Sequence, residues 1–412
     1  MNQSLKHWIW LSGIKKIGAV TALRLINHFG SPEKVFSAVE SDYLAVEGIN
    51  FNNVGLLLDK KLDNANLILT DCAEIGCHVL TIHDKEYPQR LKNIYDAPIL
   101  LYIRGKLPSI DEEPVIGVVG TRDCTPYGWG VAKTIGHNLS KRGVIISTGL
   151  AKGIDSAAAQ GALMSGGSVI GVIGTGLGTV YPPENKKLFD DVAHRGAIIS
   201  EYPPKATISK QNFPMRNRLI AGISLGVTVI EAPKRSGALI TALQALEQGR
   251  DVFVVPGNVN LASCEGSNAL LRDGAIPVLS ADDIVNEYIE LYPDKITRTD
   301  KEIKPFSGEN NTANDSVMPR SKSQRAVTIN KKEIDKKLEL EYIDVDRVIE
   351  KLCGDEKKVA EVIGSGKEHI DDIIKNSGLS AQSVLTALTL LEIKGYVQQA
   401  SGKIFSIIDN GK

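Results

Sequence analysis

The chain has 412 residues, 42% hydrophobic and 24% charged, with a formal net charge of -1; it is too long for one ordinary core, so two or three globular domains are expected. Near-neutrality excludes a binder that is basic throughout, so any basic surface has to be local. No apolar run approaches the ~18 residues of a membrane span, Lys15-Lys16 follows Trp8-Ile9-Trp10-Leu11 too soon for a signal-peptide core, and the cysteines are odd in number and scattered, with no paired CxxC for a zinc site or disulfide framework; the protein reads as soluble and cytoplasmic.

Residues 1–75 alternate helical patterns with turns at Gly13, Gly18, Gly30 and Gly48. Ser12 to Phe29 places Ala19, Leu23 and Ile26 at helical spacing after a Gly-bounded turn, in the manner of a degenerate SAM/helix-hairpin-helix-like unit that could offer backbone N–H groups to phosphates. Neither turn has a doubled glycine, so the segment reads first as a small helical bundle.

Residues 76–290 repeat strand, turn and helix. Val115 to Val119 is a buried-type strand ending at Gly120. Thr125 then caps a helix with Pro126 in its first turn and Val131, Ile135 and Leu139 as its buried stripe. Val144 to Thr148 ends at Gly149, and Asp155 opens an alanine-rich helix that stops at Gly166-Gly167. Val169 to Ile173 leads into Gly174-Thr175-Gly176-Leu177-Gly178. Strands Ala197–Ser200, Val227–Glu231, Val252–Val255 and Ile276–Leu279 continue the series, with helices Pro214–Ser224, Ala238–Glu247 and Asn268–Arg272 between them. The alternation predicts an α/β fold with a doubly wound, mainly parallel sheet, to which Val79–Ile82 and Leu100–Arg104 add an edge.

Residues 291–340 are rich in Ser, Asn, Lys and Asp and poor in large apolar positions, as a flexible linker is. In residues 341–412, Ile370, Ile373 and Ile374 precede a Ser377-Gly378 turn, and Ser380 caps a helix from Ala381 to Ile393. A hairpin then joins Tyr396–Gln398 to Ile404–Ile407, which is the winged-helix order. That second helix carries only Glu392 and Lys394 as charges, a poor inventory for reading DNA.

Basic residues recur just after the strands: Arg122, Lys152, Lys210, Arg216, Arg218, Lys234 and Arg235. If the strands are parallel these cations share the carboxyl edge of the sheet, where open α/β folds bind ligands, and the ligand is a polyanion. Between Lys205 and Arg250 seven basic residues face two acidic ones. Within it, Phe213-Pro214-Met215-Arg216-Asn217-Arg218 sets one ring beside two guanidinium groups, which suits a nucleic-acid strand with bases to stack and phosphates to neutralise. Glycines at Gly120 and across Gly149-Leu150-Ala151-Lys152-Gly153 let backbone N–H groups approach an anion, with Thr121, Ser147 and Thr148 as hydroxyl donors. Asp155 is a helix cap rather than a catalyst.

No cofactor, metal or catalytic site is expected. The Gly171 to Gly178 spacing is GxGxG, with Tyr181-Pro182-Pro183 where a phosphate-binding helix should begin, and no P-loop string exists. His83, His137 and His194 stand apart from any nucleophile.

Four ordered strings, Gly120-Thr121-Arg122, Gly149 to Asp155, Phe213 to Arg218 and Ser236-Gly237-Ala238-Leu239-Ile240-Thr241-Ala242, with Pro256-Gly257 and Gly266-Ser267-Asn268 after them, make the chain similar to the DprA/Smf family of DNA-processing proteins. The resemblance is strongest over residues 80–285. It implies an extended Rossmann-like domain that binds single-stranded DNA without consuming it, forms a homodimer and loads the RecA recombinase during natural transformation. By motif match, Arg122 and Lys210 grip phosphates, Phe213 stacks on a base, and Asn217 with the Gly120-Thr121 backbone positions the strand, with Lys152 and Arg216 as further contacts. Thr121 stands where the family has Ser, and Ala159-Gln160 where it often has His-Arg. The alternative is a phosphoribohydrolase of the lysine-decarboxylase-like fold, but its PGGxGTxxE string is not present and Glu231-Ala232-Pro233-Lys234-Arg235-Ser236-Gly237 stands in the corresponding place.

Overall fold

The computed structural model describes residues 2–297, and then 349, 352, 354–364, 368–394, 396–400 and 404–407. The chain divides into two compact units, Met1–Thr312 and Ala313–Lys412. Most of the linker expected over 291–340 lies outside the described residues, but its first residues do not behave as a linker. Ile296 is buried in the core of the first unit, Lys295 pairs with Glu113 at 2.6 Å, and the Thr297 N–H donates to Arg142 O. Burying one Ile side chain stabilises by roughly 1.5–3 kcal/mol, enough to hold a segment whose polar composition suggested otherwise.

The first unit opens with six helices: α1 Asn2–Gly13, α2 Ala19–Phe29, α3 Pro32–Ser37, α4 Glu40–Leu44, α5 Phe51–Leu57 and α6 Asp63–Ile75. Their apolar faces, among them Trp8, Leu11, Leu25, Ile26 and Leu57, belong to the same continuous core as the sheet that follows. The expected boundary at residue 75 therefore falls inside one core. Gly76 in the left-handed region ends α6, accepting the geometry that side chains resist.

The sheet has nine strands: β1 His78–Thr81, β2 Leu100–Gly105, β3 Val115–Gly120, β4 Ile145–Thr148, β5 Val169–Ile173, β6 Ala197–Ser200, β7 Gly226–Ile230, β8 Asp251–Val254 and β9 Ile276–Pro277. Their spatial order is β1-β2-β6-β5-β4-β3-β7-β8-β9. From β6 to β9 every neighbouring pair is parallel, while β1 and β2 add an antiparallel edge. The central strands β3, β4, β5 and β7 are buried almost throughout, as continuous Val/Ile runs covered on both faces must be.

The helices that position the site are α8 Pro126–Lys141, α9 Ile154–Met164, α11 Asn212–Ile223 and α12 Gly237–Glu247; α7 Gln89–Lys92 and α10 Lys186–Arg195 fall between them in the chain, and α13 Glu265–Arg272 and α14 Ala281–Tyr288 follow. Thr125 caps α8, its hydroxyl accepting from the Gly128 N–H at 3.0 Å, with Pro126 in the first turn. The strand order reverses around β3, which has β4 on one side and β7 on the other, so a crevice opens beyond its carboxyl end. This is a doubly wound, Rossmann-like sheet.

The second unit is a winged helix: α15 Gly354–Ile363, α16 Ile370–Ser377 and α17 Ala381–Ile393, with β10 Glu368–His369, β11 Val397–Ala400 and β12 Ile404–Ile407 in a sheet of order β10-β12-β11. Ser380 caps α17 as expected, accepting from the Ser383 N–H at 3.1 Å. The tip of the expected hairpin, 401–403, lies outside the described residues.

Candidate nucleic-acid interface

The carboxyl edge of β3, β7 and the start of α11 and α12 enclose a cleft of about 540 Å³. Gly120, Thr121, Arg122, Lys210, Phe213, Arg216 and Asn217 all line it, whereas Lys152 does not; it sits exposed on the neighbouring loop.

Arg122 is exposed, and its guanidinium carbon lies 5.3 Å from the centre of the Phe213 ring. The Tyr181 ring centre lies 5.6 Å from that of Phe213 on a tilted approach. One cation and two rings therefore meet, with Phe213 between the other two. Tyr181 went unassigned in the sequence because it entered only as evidence against a dinucleotide helix; the usable signal was an aromatic residue just beyond a glycine-rich strand end. Lys210 and Arg235 are exposed cations in the same cleft with no carboxylate partner among the described residues.

Other basic residues of the edge are already engaged. Arg218 is buried between Asp96, 2.8 Å from Nε, and Glu201, which takes a two-pronged contact at 2.9 and 2.8 Å. Lys205 pairs with Asp71 and Glu74, and Lys234 with Glu265. The pair of guanidinium groups read beside Phe213 in the sequence thus contributes no free charge.

Arg216 requires the same correction. It is 5% exposed and donates to Gly149 O at 2.9 Å, to Val172 O, and through Nε to Asn217 Oδ1. Burial pulls its pKa down to about 10, and the Asp155 carboxylate opposes that fall. The guanidinium supplies donors to carbonyls at the ends of β4 and β5, a backbone need that no sequence pattern announces. Asn217 is also buried; its amide donates to Gly237 O at 3.1 Å, tying α11 to the first turn of α12.

The loop Gly149 to Gly153 is not an open nest. Asp155 is buried rather than capping α9, whose N-cap is Gly153, and its Oδ2 accepts from the Gly149 and Ala151 N–H groups at 3.0 and 3.4 Å. Burial raises the Asp155 pKa, while Arg216 and these loop donors pull it down. Ser147 and Thr148 are fully buried and do not reach the cleft. Gly153 has φ +81°, and a Cβ there would meet the Thr121 and Arg122 carbonyls at 2.4 and 2.5 Å. A side chain at Gly120 would lie 2.0 Å from Ile230 O. Two strand-end loops are thus packed directly on each other, and the role of these glycines is to permit that approach.

Glu231, at the end of β7, is buried with its carboxylate accepting from the Thr125 N–H at 2.8 Å and from the Thr125 hydroxyl. It thereby anchors the start of α8. Among the described residues no cluster of ligating side chains could hold a metal ion, and no helix is long and apolar enough to cross a membrane. The cleft is suited to binding a flexible polyanion with a planar group: exposed cations for phosphates, and two neighbouring rings for a base.

Residues 78–289 match the family model of DNA recombination-mediator protein A, and residues 346–403 that of the DprA winged helix domain. The chain is 41% identical over 223 residues to DNA processing protein DprA of Bacillus subtilis, covering 54% of this chain and 75% of that one. It is 36% identical over 288 residues to Protein Smf of Synechocystis sp., covering 69% of this chain and 72% of that one. Among solved structures it is similar to DNA processing protein A of Streptococcus pneumoniae, with a TM-score of 0.61 and 35% identity over 68% of this chain and 97% of that one.

Proposed function

The chain belongs to the DprA/Smf family of DNA-processing proteins, and on that premise we propose that it binds single-stranded DNA in the cleft beyond β3 and hands the strand to the RecA recombinase. The observation that carries this reading is the Arg122 guanidinium held over the Phe213 ring, with exposed Lys210 and Arg235 lining the same cleft. Arg122, Lys210 and Arg235 neutralise phosphates. Phe213 and Tyr181 offer faces to bases, which every base can use, so sequence preference is weak. Gly120, Thr121 and Asn217 shape the floor, Arg216 holds the β4 and β5 loops from beneath, and Lys152 meets the strand where it leaves the cleft.

The action is presentation of a strand rather than turnover. The carboxylates nearest the cleft, Asp155 and Glu231, are spent on backbone and hydroxyl donors. A homodimer would hold two segments of one strand and gain avidity by linkage. In a transformable host this corresponds to protecting incoming DNA and starting a RecA filament on it.

The test is fluorescence anisotropy with single strand, duplex and mononucleotides across a salt series. Single-strand binding should dominate and weaken steeply with salt, since log K falls by about 0.7 per phosphate neutralised for each decade of salt. Equal affinity for duplex, or a flat salt dependence, overturns the binding reading. Hand-over is tested by RecA nucleation on DNA coated with single-strand-binding protein; failure of the cognate pair there removes hand-over and leaves binding standing.

A further inference from the structure

Outside the cleft, the turn that ends α6 brings together two of the cysteines. Gly76, with φ +70°, takes the left-handed position after the helix, and the N–H groups of Gly76 and Cys77 both donate to Cys72 O, the latter at 2.9 Å. In this helix-ending motif the residue two places past the last helical one donates its N–H to, and packs its side chain against, the residue whose carbonyl accepts. Those two positions are here occupied by Cys77 and Cys72, so the motif sets the two thiols side by side.

The two sulfurs are not equivalent. Cys72 is 5% exposed, and the adjacent Cys77 thiol together with burial pushes its own thiol up. Cys77 is partly exposed; the adjacent Cys72 thiol, its backbone contact and the Arg104 guanidinium hold it below the ordinary thiol range, against burial and Asp71. Asp71 is itself engaged by Lys205 at 2.6 Å. A more acidic, reachable sulfur beside a buried one is the arrangement of an attacking and a resolving thiol. Among the other described cysteines, Cys264 is buried and Cys124 is pushed up by burial and by Glu231.

We propose that Cys72 and Cys77 form a hydroperoxide-responsive thiol pair, with Cys77 as the attacking sulfur and Cys72 as the resolving one. In the first step the Cys77 thiolate attacks one oxygen of hydrogen peroxide; the S–O bond forms, the O–O bond breaks, and the departing hydroxide takes a proton from solvent. Cys77 is then a sulfenic acid. Cys72 next attacks the Cys77 sulfur; the S–S bond forms, the S–O bond breaks, and the Cys72 proton leaves with the hydroxide as water. Two thiols and one peroxide give one disulfide and two waters, and a dithiol reductant reverses the change. The bond would staple the last turn of α6 to Cys77, which directly precedes β1.

The experiment uses the full chain, treated with equimolar hydrogen peroxide, quenched with an alkylating reagent and digested with trypsin. Both cysteines fall in one tryptic peptide, 62–85, between Lys61 and Lys85. The expected product is that peptide lighter by two hydrogens and unalkylated, returning to the doubly alkylated form after dithiothreitol, while Cys124 and Cys264 remain largely alkylated. Cys72→Ser or Cys72→Ala should trap a dimedone adduct on Cys77, and Cys77→Ser should leave Cys72 unreactive, with circular dichroism confirming the fold of each. A 62–85 peptide that stays doubly alkylated after peroxide treatment overturns the pair. An adduct on Cys72 in the Cys77→Ser chain overturns the assignment of roles.

Discussion

Replacing Arg216 by alanine separates a ligand contact from a buried support. Arg216 is buried, feels the favourable charge of the Asp155 carboxylate, and donates to two strand-end carbonyls, Gly149 O and Val172 O. Its removal takes the donor from both carbonyls, at about 1–3 kcal/mol for each buried group left unsatisfied and so about 2–6 kcal/mol in all, and it strips Asp155 of a favourable charge. For a unit of this size each kcal/mol moves the melting temperature by about 2–4 °C, so the transition of the first unit should fall by roughly 4–24 °C. The assay is thermal unfolding followed by circular dichroism. The pH dependence has a definite sign. Without Arg216 the folded-state pKa of Asp155, already raised by burial, rises further above its unfolded value of about 3.9. An acid whose folded pKa is raised loses stability as pH climbs from the unfolded value through the folded one, so the deficit should be full at neutral pH and shrink on acidification. Adding Asp155→Asn to the alanine variant removes the stranded charge and should recover about 0.5–3 kcal/mol, the range of coupling between neighbours. A variant that melts like the wild type yet no longer binds single strand refutes this reasoning and returns Arg216 to the surface chemistry its sequence suggested.

Arg122→Glu and Lys210→Glu should each weaken single-strand binding strongly with no change in melting, and the salt slope should drop by about 0.7 for each phosphate left without its cation; wild-type affinity in both by anisotropy moves the site elsewhere. Phe213→Ala should cost about 1–3 kcal/mol of binding and Tyr181→Ala a comparable amount, the scale of one base stacked on one ring, read by the same titration; unchanged affinity in either excludes base stacking there. A chain ending at Thr297 should keep most single-strand affinity, since it retains Ile296 in the core and every residue of the cleft; loss of binding with an intact melting transition would give the winged helix a direct share in it.

Much of the sheet was legible because Val/Ile runs ending in glycine carry their own signal: Val115–Val119 and Val169–Ile173 needed no more than burial and a turn. The site was legible as charge and less so as geometry. Arg122 and Phe213 lie in separate strings about ninety residues apart, and their contact depends on how α11 enters the sheet edge. Arg216 and Arg218 look identical to Arg122 in sequence, since a charged residue is presumed exposed until a buried partner is known. Their partners, the ends of β4 and β5 and the Asp96 and Glu201 carboxylates, are distant in the chain. Asp155 was misread for a related reason: a helix cap and a carboxylate tying down the preceding loop share one local pattern, and only the backbone of Gly149 and Ala151 distinguishes them. Ile296 stayed hidden because one large apolar residue in a polar stretch makes no periodicity.

The segment carrying Lys210 is moored before any strand arrives: Lys205 is held by Asp71 and Glu74 of α6, and Pro204 O accepts from the Gly178 N–H at 2.8 Å. If the cleft binds a DNA strand as proposed, the consequence is temporal. A loop whose base is already ordered does not slow capture by having to fold around its guest, so the rate of capture follows collision and charge steering. Dwell time then depends on a few screened phosphate contacts and two stacking faces, each of which can release independently. A strand gripped in this way is quick to seize and can be surrendered piecemeal.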